Sequence, residues 1–244
     1  MSEINTQAEK TTANFSDFSL FEKFDIFLTE KQKAQLEQYY QILIEENEKY
    51  NLTSITDQTE IYHKHFLDSM LGGKFIKENA SVCDIGAGGG FPSLPLKILR
   101  PDLSFTLCDS RGKKVAFLQM ACDKLGLDKM TPIHSRIEEL AHSKKRASFD
   151  VVVSRGVAPL PTLLEYKMPL VKMGGIALCF KGDVEKEIEI SKNAISLLHC
   201  HKMTVHKLSI SESQNERSFL IVEKSVESPR IYPRGKNLPR LNPL

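Results

Sequence analysis

Val82-Cys-Asp-Ile-Gly-Ala-Gly-Gly-Gly-Phe-Pro92 decides the fold. A short apolar run ends in an acid, Asp84. Gly86 follows, then Gly88, Gly89 and Gly90, and Pro92 opens a predicted helix. Glycines let the chain turn sharply and bring a ligand against bare backbone. Proline suits the first helical position, where its missing N–H costs nothing, and the amides of that first turn face whatever the loop holds. Strand, glycine loop and helix together read as the nucleotide-binding corner of an α/β sheet.

A dinucleotide fingerprint has the form G-x-G-x-x-G. Gly86 and Gly88 fit it, but Phe91 takes the last position. The form Asp84-Ile-Gly86-x-Gly88 is similar instead to the first motif of S-adenosylmethionine-dependent methyltransferases. That cofactor has no pyrophosphate, and a nearby carboxylate favours its cationic methionine end. A glycine turn that holds no ligand is the competing reading.

Outward from this corner, short apolar runs alternate with amphipathic segments. Strands are predicted at 81–85, 104–108, 130–134, 149–153, 174–180, 201–208 and 218–223, and helices at 92–100, 112–125, 136–141, 160–172 and 184–198. Such alternation argues for a mostly parallel sheet with helices on both faces. Two final strands with no helix between them predict an antiparallel pair. Before residue 80 the pattern is helical. Apolar residues recur at helical spacing from Ile26 to Tyr50, and a second helix is predicted from Thr59 to Leu71, stopped by Gly72-Gly73. The expected layout is a flexible leader (1–15), a helical extension (16–79), a Rossmann-like α/β domain of seven strands (80–227) and a basic, proline-rich end (228–244).

Ligands of open parallel sheets bind at the carboxyl ends of the strands. The first end gives Asp84 and the loop. The second gives Asp109, 23 residues after Gly86, where an acid accepts hydrogen bonds from a ribose diol or caps the next helix. The third gives Ile137 and Glu138, beside an adenine or at the start of a helix dipole. The fourth gives Ser154-Arg155-Gly156. No [DNS]-P-P-[YFW] motif for exocyclic amines stands there, and the chain has no Pro-Cys pair for C5 methylation. Arg155 could stack on a base, grip a phosphate, hold a carboxylate or pair with a surface acid. The fifth end gives a second cation, Lys181. His65 and Asp68 stand at i and i+3 on a helix, with no third residue at metal spacing; a hydrogen bond between them is the structural alternative to a place in the cleft.

These residues carry a closer resemblance. Asn51-Leu-Thr53, His65-Phe-Leu-Asp68-Ser69, Asp84 to Pro92 with Pro95-Leu96, Asp109-Ser110 with Lys113-Lys114, Arg136-Ile-Glu138, Ser154-Arg155, Lys181-Gly182 and Tyr232-Pro-Arg234 occur in this order. The sequence resembles the bacterial 16S ribosomal RNA guanine-N7 methyltransferases, the glucose-inhibited division protein B family, over about residues 40–244. Gly156 and Ser93 depart from that family's more usual alanine and glycine, and neither change removes a functional group. The resemblance implies a class I methyltransferase fold and methyl transfer from S-adenosylmethionine to N7 of a guanine (conventional position 527) in the small ribosomal subunit. It implies Asp84, Gly86, Gly88, Phe91, Asp109, Ile137, Glu138 and Arg155 at the cofactor. Arg155 and Lys181 would act at the reacting base, and His65, Asp68 and Arg234 would touch RNA. A small-molecule methyltransferase and a noncatalytic RNA-binding protein are the alternatives.

Composition sets outer bounds. The chain has 244 residues, 41% of them hydrophobic, with net charge +2. No run reaches the roughly 18 apolar residues that span a bilayer, and the polar N-terminus lacks the apolar stretch of a signal peptide, so a cytoplasmic location is expected; a monomer is the expected state, on which the sequence itself is silent. Cys83, Cys108, Cys122, Cys179 and Cys200 form no C-x-x-C pair, which excludes a zinc-knuckle pattern and suits buried thiols. Residues 228–244 carry Arg230, Arg234, Lys236 and Arg240 and no acid. They read as a phosphate-tracking tail or as a segment packed on its own domain, with four prolines arguing against a regular helix.

Overall fold

A computed structural model describes residues 15–209 and 216–244. Most of the expected leader therefore lies outside the described residues. Its last residue, Phe15, stacks on Tyr62 with ring centroids 3.9 Å apart.

The helical extension begins with the single turn α1 (Ser19–Glu22). Helix α2 (Glu30–Tyr50) starts at a capping box, in which Thr29 and Gln32 exchange side-chain and backbone hydrogen bonds. It ends at Asn51, whose φ of +53° is left-handed. Leu36, Tyr39 and Leu43 form its buried face. The second predicted helix departs from the regular 3.6-residue period. It runs as α3 (Gln58–Glu60), a π-helical stretch (Ile61–Leu67) and α4 (Asp68–Leu71), and closes on a 3₁₀ turn at Gly72–Phe75. A side chain at Gly72 would push the Phe180 ring aside, because a Cβ would lie 2.4 Å from its tip.

The sheet elements then alternate: β1 (Ser81–Ile85), α5 (Ser93–Leu99), β2 (Ser104–Asp109), α6 (Gly112–Lys124), β3 (Met130–His134), α7 (Ile137–His142), β4 (Phe149–Arg155), α8 (Leu160–Lys167) and β5 (Val171–Lys181). Next come α9 (Glu185–Ile190), α10 (Lys192–Leu197), β6 (Met203–Ser209), β7 (Glu216–Glu223) and a last turn, α11 (Leu238–Leu241). Three expectations are corrected. Pro92 precedes α5 as its N-cap and does not open it. Helix α8 stops at Lys167, short of Pro169, which cannot continue it, and β5 takes residues 171–172. The single helix expected over 184–198 divides at Ser191, whose hydroxyl turns back onto the carbonyl of Glu187. The tail is not wholly irregular either, since α11 accommodates Pro239 in its first turn.

Seven strands lie in the order β3-β2-β1-β4-β5-β7-β6. All neighbouring pairs are parallel except those of β7, which runs antiparallel between β5 and β6. The chain winds outward from β1 towards one edge and from β4 towards the other. Their shared boundary is the topological switch point, and a crevice opens at their carboxyl ends. The N-terminal helices share one apolar core with a face of the sheet, through Tyr39, Phe66, Leu94, Leu107, Val153 and Phe180. A second core on the other face holds α7, α8 and α10. All five cysteines are buried and free. No helix of the described residues is long and apolar enough to cross a membrane.

Candidate active site

The glycine loop leaves β1 with Gly86 at φ +73°, Gly88 at +55° and Gly90 at +95°. A Cβ on Gly86 would stand 2.7 Å from the Val157 side chain, so glycine is required there on both grounds. Backbone amides of Gly86 and Ala87 donate to the carbonyl of Cys108 at 2.8 and 3.1 Å, tying the loop to β2. Asp109 completes the tie. Its Oδ2 accepts from the Gly88 amide at 3.0 Å and its Oδ1 from the Arg111 amide at 2.9 Å. Asp109 is therefore not the N-cap of α6, a position that Arg111 holds.

Two clefts meet over this loop. The smaller, ≈ 360 Å³, is lined by Asp109, Ile137, Glu138, Val157, Tyr166 and Asn237, among others. The larger, ≈ 640 Å³, runs from Thr53, His65 and Asp68 past Phe91 and Arg155 to Phe180, Lys181 and Phe219. Gly86, Gly88, Lys114 and Gly156 border both and form the neck. Gly156 has φ +65°, a conformation that the alanine more usual here in the resembled family would strain.

In the larger cleft Arg155 is the hub. Its Nη1 donates to Asp68 Oδ2 and to the Lys64 carbonyl, both at 2.9 Å, and its Nη2 donates to His65 Nδ1 at 2.9 Å. The guanidinium also lies 4.9 Å over the Phe91 ring. Asp68 Oδ1 takes a second guanidinium, Arg217, at 3.0 Å. The salt bridge considered for Arg155 thus exists, but to a buried acid in the cleft wall and not to a surface one. The hydrogen bond considered between His65 and Asp68 gives way to this arrangement, because each meets Arg155. Arg155 only donates, so His65 Nδ1 accepts, and Nε2 carries the ring proton towards Thr53 Oγ1 at 2.8 Å. Burial and the adjacent Arg155 charge pull the imidazole down to about 4. Lys181 donates to Glu187 at 2.6 Å and to the Ala158 carbonyl at 3.0 Å.

Asp84 lines neither cleft. It sits beneath the loop, fully buried, with Oδ2 accepting from Ser93 at 2.6 Å and Oδ1 without a partner. Burial pushes its carboxyl up to about 7, against the Ser93 hydrogen bond and the nearby Lys167 charge. Arg234 lies apart from both clefts. It forks onto Glu165, which is 0% exposed, at 2.8–2.9 Å. Packing of the tail on its own domain therefore holds for Arg234, while Asn237 and Arg240 of the same tail wall the smaller cleft.

Several cleft residues carried no earlier assignment. Thr53 and Lys114 lay within matched stretches without a role. Arg217, Phe219 and Tyr166 have no spacing signal at all, because only the antiparallel insertion of β7 and the packing of α8 bring them in.

The model of the family described as rRNA small subunit methyltransferase G matches residues 32–219. The chain belongs to that family. A relative named ribosomal RNA small subunit methyltransferase G, from Lactobacillus johnsonii, is 42% identical over 228 residues, covering 91% of this chain and 95% of its own. The protein of the same name from Staphylococcus aureus (strain Newman) is 43% identical over 223 residues, 90% and 93% of the two chains. Among solved structures, an O-methyltransferase from Bacillus cereus superposes with TM-score 0.53 at 13% identity, covering 77% of this chain and 91% of that one. A precorrin-6y C5,15-methyltransferase from Geobacter metallireducens gives 0.52 at 15%, over 74% and 96%. These likenesses establish the Rossmann-like methyltransferase fold, and membership of the rRNA small subunit methyltransferase G family rests on the sequence relatives.

Proposed function

We propose that this protein methylates N7 of a guanine in 16S ribosomal RNA, acting as a cytoplasmic monomer on the small ribosomal subunit with S-adenosylmethionine as methyl donor. One observation carries the choice of a ring nitrogen. Among the described residues the larger cleft has a single lining carboxylate, Asp68, and two guanidiniums occupy it. Its one imidazole is held neutral with Nδ1 committed to Arg155. Among the described residues, no carboxylate or imidazole there is free to remove a proton. N7 of guanine has a lone pair and no proton to lose, so positioning and exclusion of water suffice.

The residues fit the cofactor. Asp109 has used one lone pair of each oxygen on the loop amides and retains two more for a ribose diol. Glu138, at the start of α7, has its Oε1 only weakly engaged by Tyr166 at 3.4 Å and faces the same cleft for an exocyclic amine. Gly86, Gly88 and Gly156 leave the neck open between the smaller cleft and the larger. When bound, the cofactor supplies an electrophilic methyl on a sulfonium. Gly86, Gly88, Ile137 and Phe91 would hold it in place, over a loop that Asp84 supports from beneath through its hydrogen bond with Ser93. Phe91, Phe180 and Phe219 give the larger cleft an apolar border beside which an unstacked base can lie. The hydrogen-bonded hub of Arg155, His65 and Asp68 fixes the wall opposite, and Lys181 closes the strand end. Radiolabelled methyl transfer into small subunits lacking this modification, with free guanosine as control, tests the reading. Label in RNA and none in guanosine supports it. Label in guanosine at comparable rate would favour a small-molecule enzyme.

A further inference from the structure

The smaller cleft has an acidic floor and a basic rim. Asp109 and Glu138 are buried, at 8% and 9% exposure. Arg111, Arg136 and Arg240 line the same cleft and are exposed. Lys114, half-buried, continues the basic rim to the neck. Arg240 rests one Nη2 on the Val157 carbonyl at 3.1 Å. Arg111 and Arg136 make backbone hydrogen bonds at the starts of α6 and α7, and neither guanidinium pairs with a carboxylate among the described residues.

The floor suits an adenosine, whose ribose hydroxyls and amine are donors. The rim does not, because that end of the cofactor carries no anion. Four cations around the mouth of a site whose own ligand is uncharged there point to a second, polyanionic ligand passing over it. Arginine is the residue that grips phosphate with a planar fork.

We propose that the RNA backbone crosses the mouth of the smaller cleft on Arg111, Arg136 and Arg240, so that bound RNA closes over the cofactor. This rests on the RNA substrate proposed above. The acceptor base occupies the larger cleft, and the two clefts adjoin at Gly86, Gly88, Lys114 and Gly156. A strand leaving the base on that side runs across the arginines. Phosphate contacts of this kind set position and register. Because the RNA then covers the cofactor, each ligand tightens the binding of the other by the same factor, and RNA leaves before S-adenosylhomocysteine can.

The experiment follows release of S-adenosylhomocysteine from the full chain by stopped flow, with and without small subunits lacking the modification. Wild type and Arg111→Gln/Arg136→Gln are compared, and methyl transfer to the same subunits is measured in parallel. Wild-type release is expected to slow at least tenfold with RNA. The double variant is expected to lose most of that slowing while binding S-adenosylhomocysteine alone within about threefold of wild type, and its RNA affinity is expected to have a log–log salt slope shallower by about 1.4, at roughly 0.7 per phosphate lost. Methyl transfer without any slowing of release, or slowing undiminished in the double variant, overturns the closure and leaves the substrate assignment standing. Absence of methyl transfer to the subunits overturns both. A double variant that no longer binds S-adenosylhomocysteine alone also overturns the proposal, since the arginines would then belong to the cofactor.

Discussion

Arg155 donates from Nη1 to Oδ2 of Asp68 at 2.9 Å, and that carboxylate is only 4% exposed. The two residues are 87 positions apart in the chain. Their contact joins the end of β4 to the first residue of α4, directly after the π-helical stretch, so the wall of the larger cleft depends on a buried ion pair. Removing one partner from such a pair costs about 3–5 kcal/mol, because the other is left charged and dry.

Asp68→Asn strands two guanidiniums and Arg155→Ala leaves Asp68 with Arg217 alone. Asp68→Asn is therefore expected to lower the urea midpoint more than Arg155→Ala. Arg155→Lys retains charge but cannot reach Asp68, His65 and the Lys64 carbonyl together. Its turnover is expected to fall by about 100-fold, the order of loss that a misplaced cleft wall brings, while the fold persists. Equal turnover in Arg155→Lys and wild type would reduce Arg155 to a structural cation.

Asp109 holds the loop by accepting the Gly88 and Arg111 amides. Asp109→Ala frees both and removes the acceptor expected for the ribose. Calorimetric titration with S-adenosylhomocysteine should show affinity weaker by about 1–3 kcal/mol, with Asp109→Asn between the two. Unchanged affinity in a folded Asp109→Ala protein would remove the ribose from this residue.

The pH dependence of stability has two opposing parts. His65 titrates near 4 when folded, below its ordinary 6.5, so the unfolded chain binds its proton first and stability falls as pH drops through that window. Asp84 titrates near 7 when folded, above its ordinary 3.8, so the folded chain binds its proton first and stability rises as pH drops. Between pH 4 and 6.5 the two nearly cancel. His65→Gln removes one of them, and its stability relative to wild type should rise on acidification by up to about 1.4 kcal/mol per pH unit. Urea unfolding at pH 4.5, 5.5 and 6.5 measures this; parallel curves for the two proteins would contradict it.

The C-terminal segment is built into the domain. Arg146 donates to the carbonyls of Ser228, Pro229 and Tyr232, Thr162 donates to that of Pro239, and Arg234 covers the buried Glu165. Deleting residues 228–244 exposes Glu165 without a partner and opens the smaller cleft. Loss of both thermal stability and S-adenosylhomocysteine binding is expected. A truncated protein with unchanged melting and cofactor affinity would show that the segment serves RNA alone.

The alternation of apolar runs and amphipathic segments was enough to lay out the sheet, and the strand ends led to Gly86, Asp109, Glu138, Arg155 and Lys181. What pairing partners those residues take was not legible. Arg155 meets Asp68 only because a helix from the extension crosses the strand ends, and that helix is π-wound at His65, a pitch with no periodic signature. Arg217 is a lone cation before an apolar run until β7 inserts between β5 and β6. Arg234 carries the same charge as its neighbours in the tail, and the acid that claims it lies in α8, 69 residues earlier.

The most direct measurement is mass mapping of 16S ribosomal RNA from cells with and without the gene, followed by restoration with the wild-type chain and with Arg155→Ala. One guanine should lose a single methyl on its N7 when the gene is absent, and regain it with wild type but not with Arg155→Ala. Identical methylation of that RNA in cells with and without the gene would contradict the assignment.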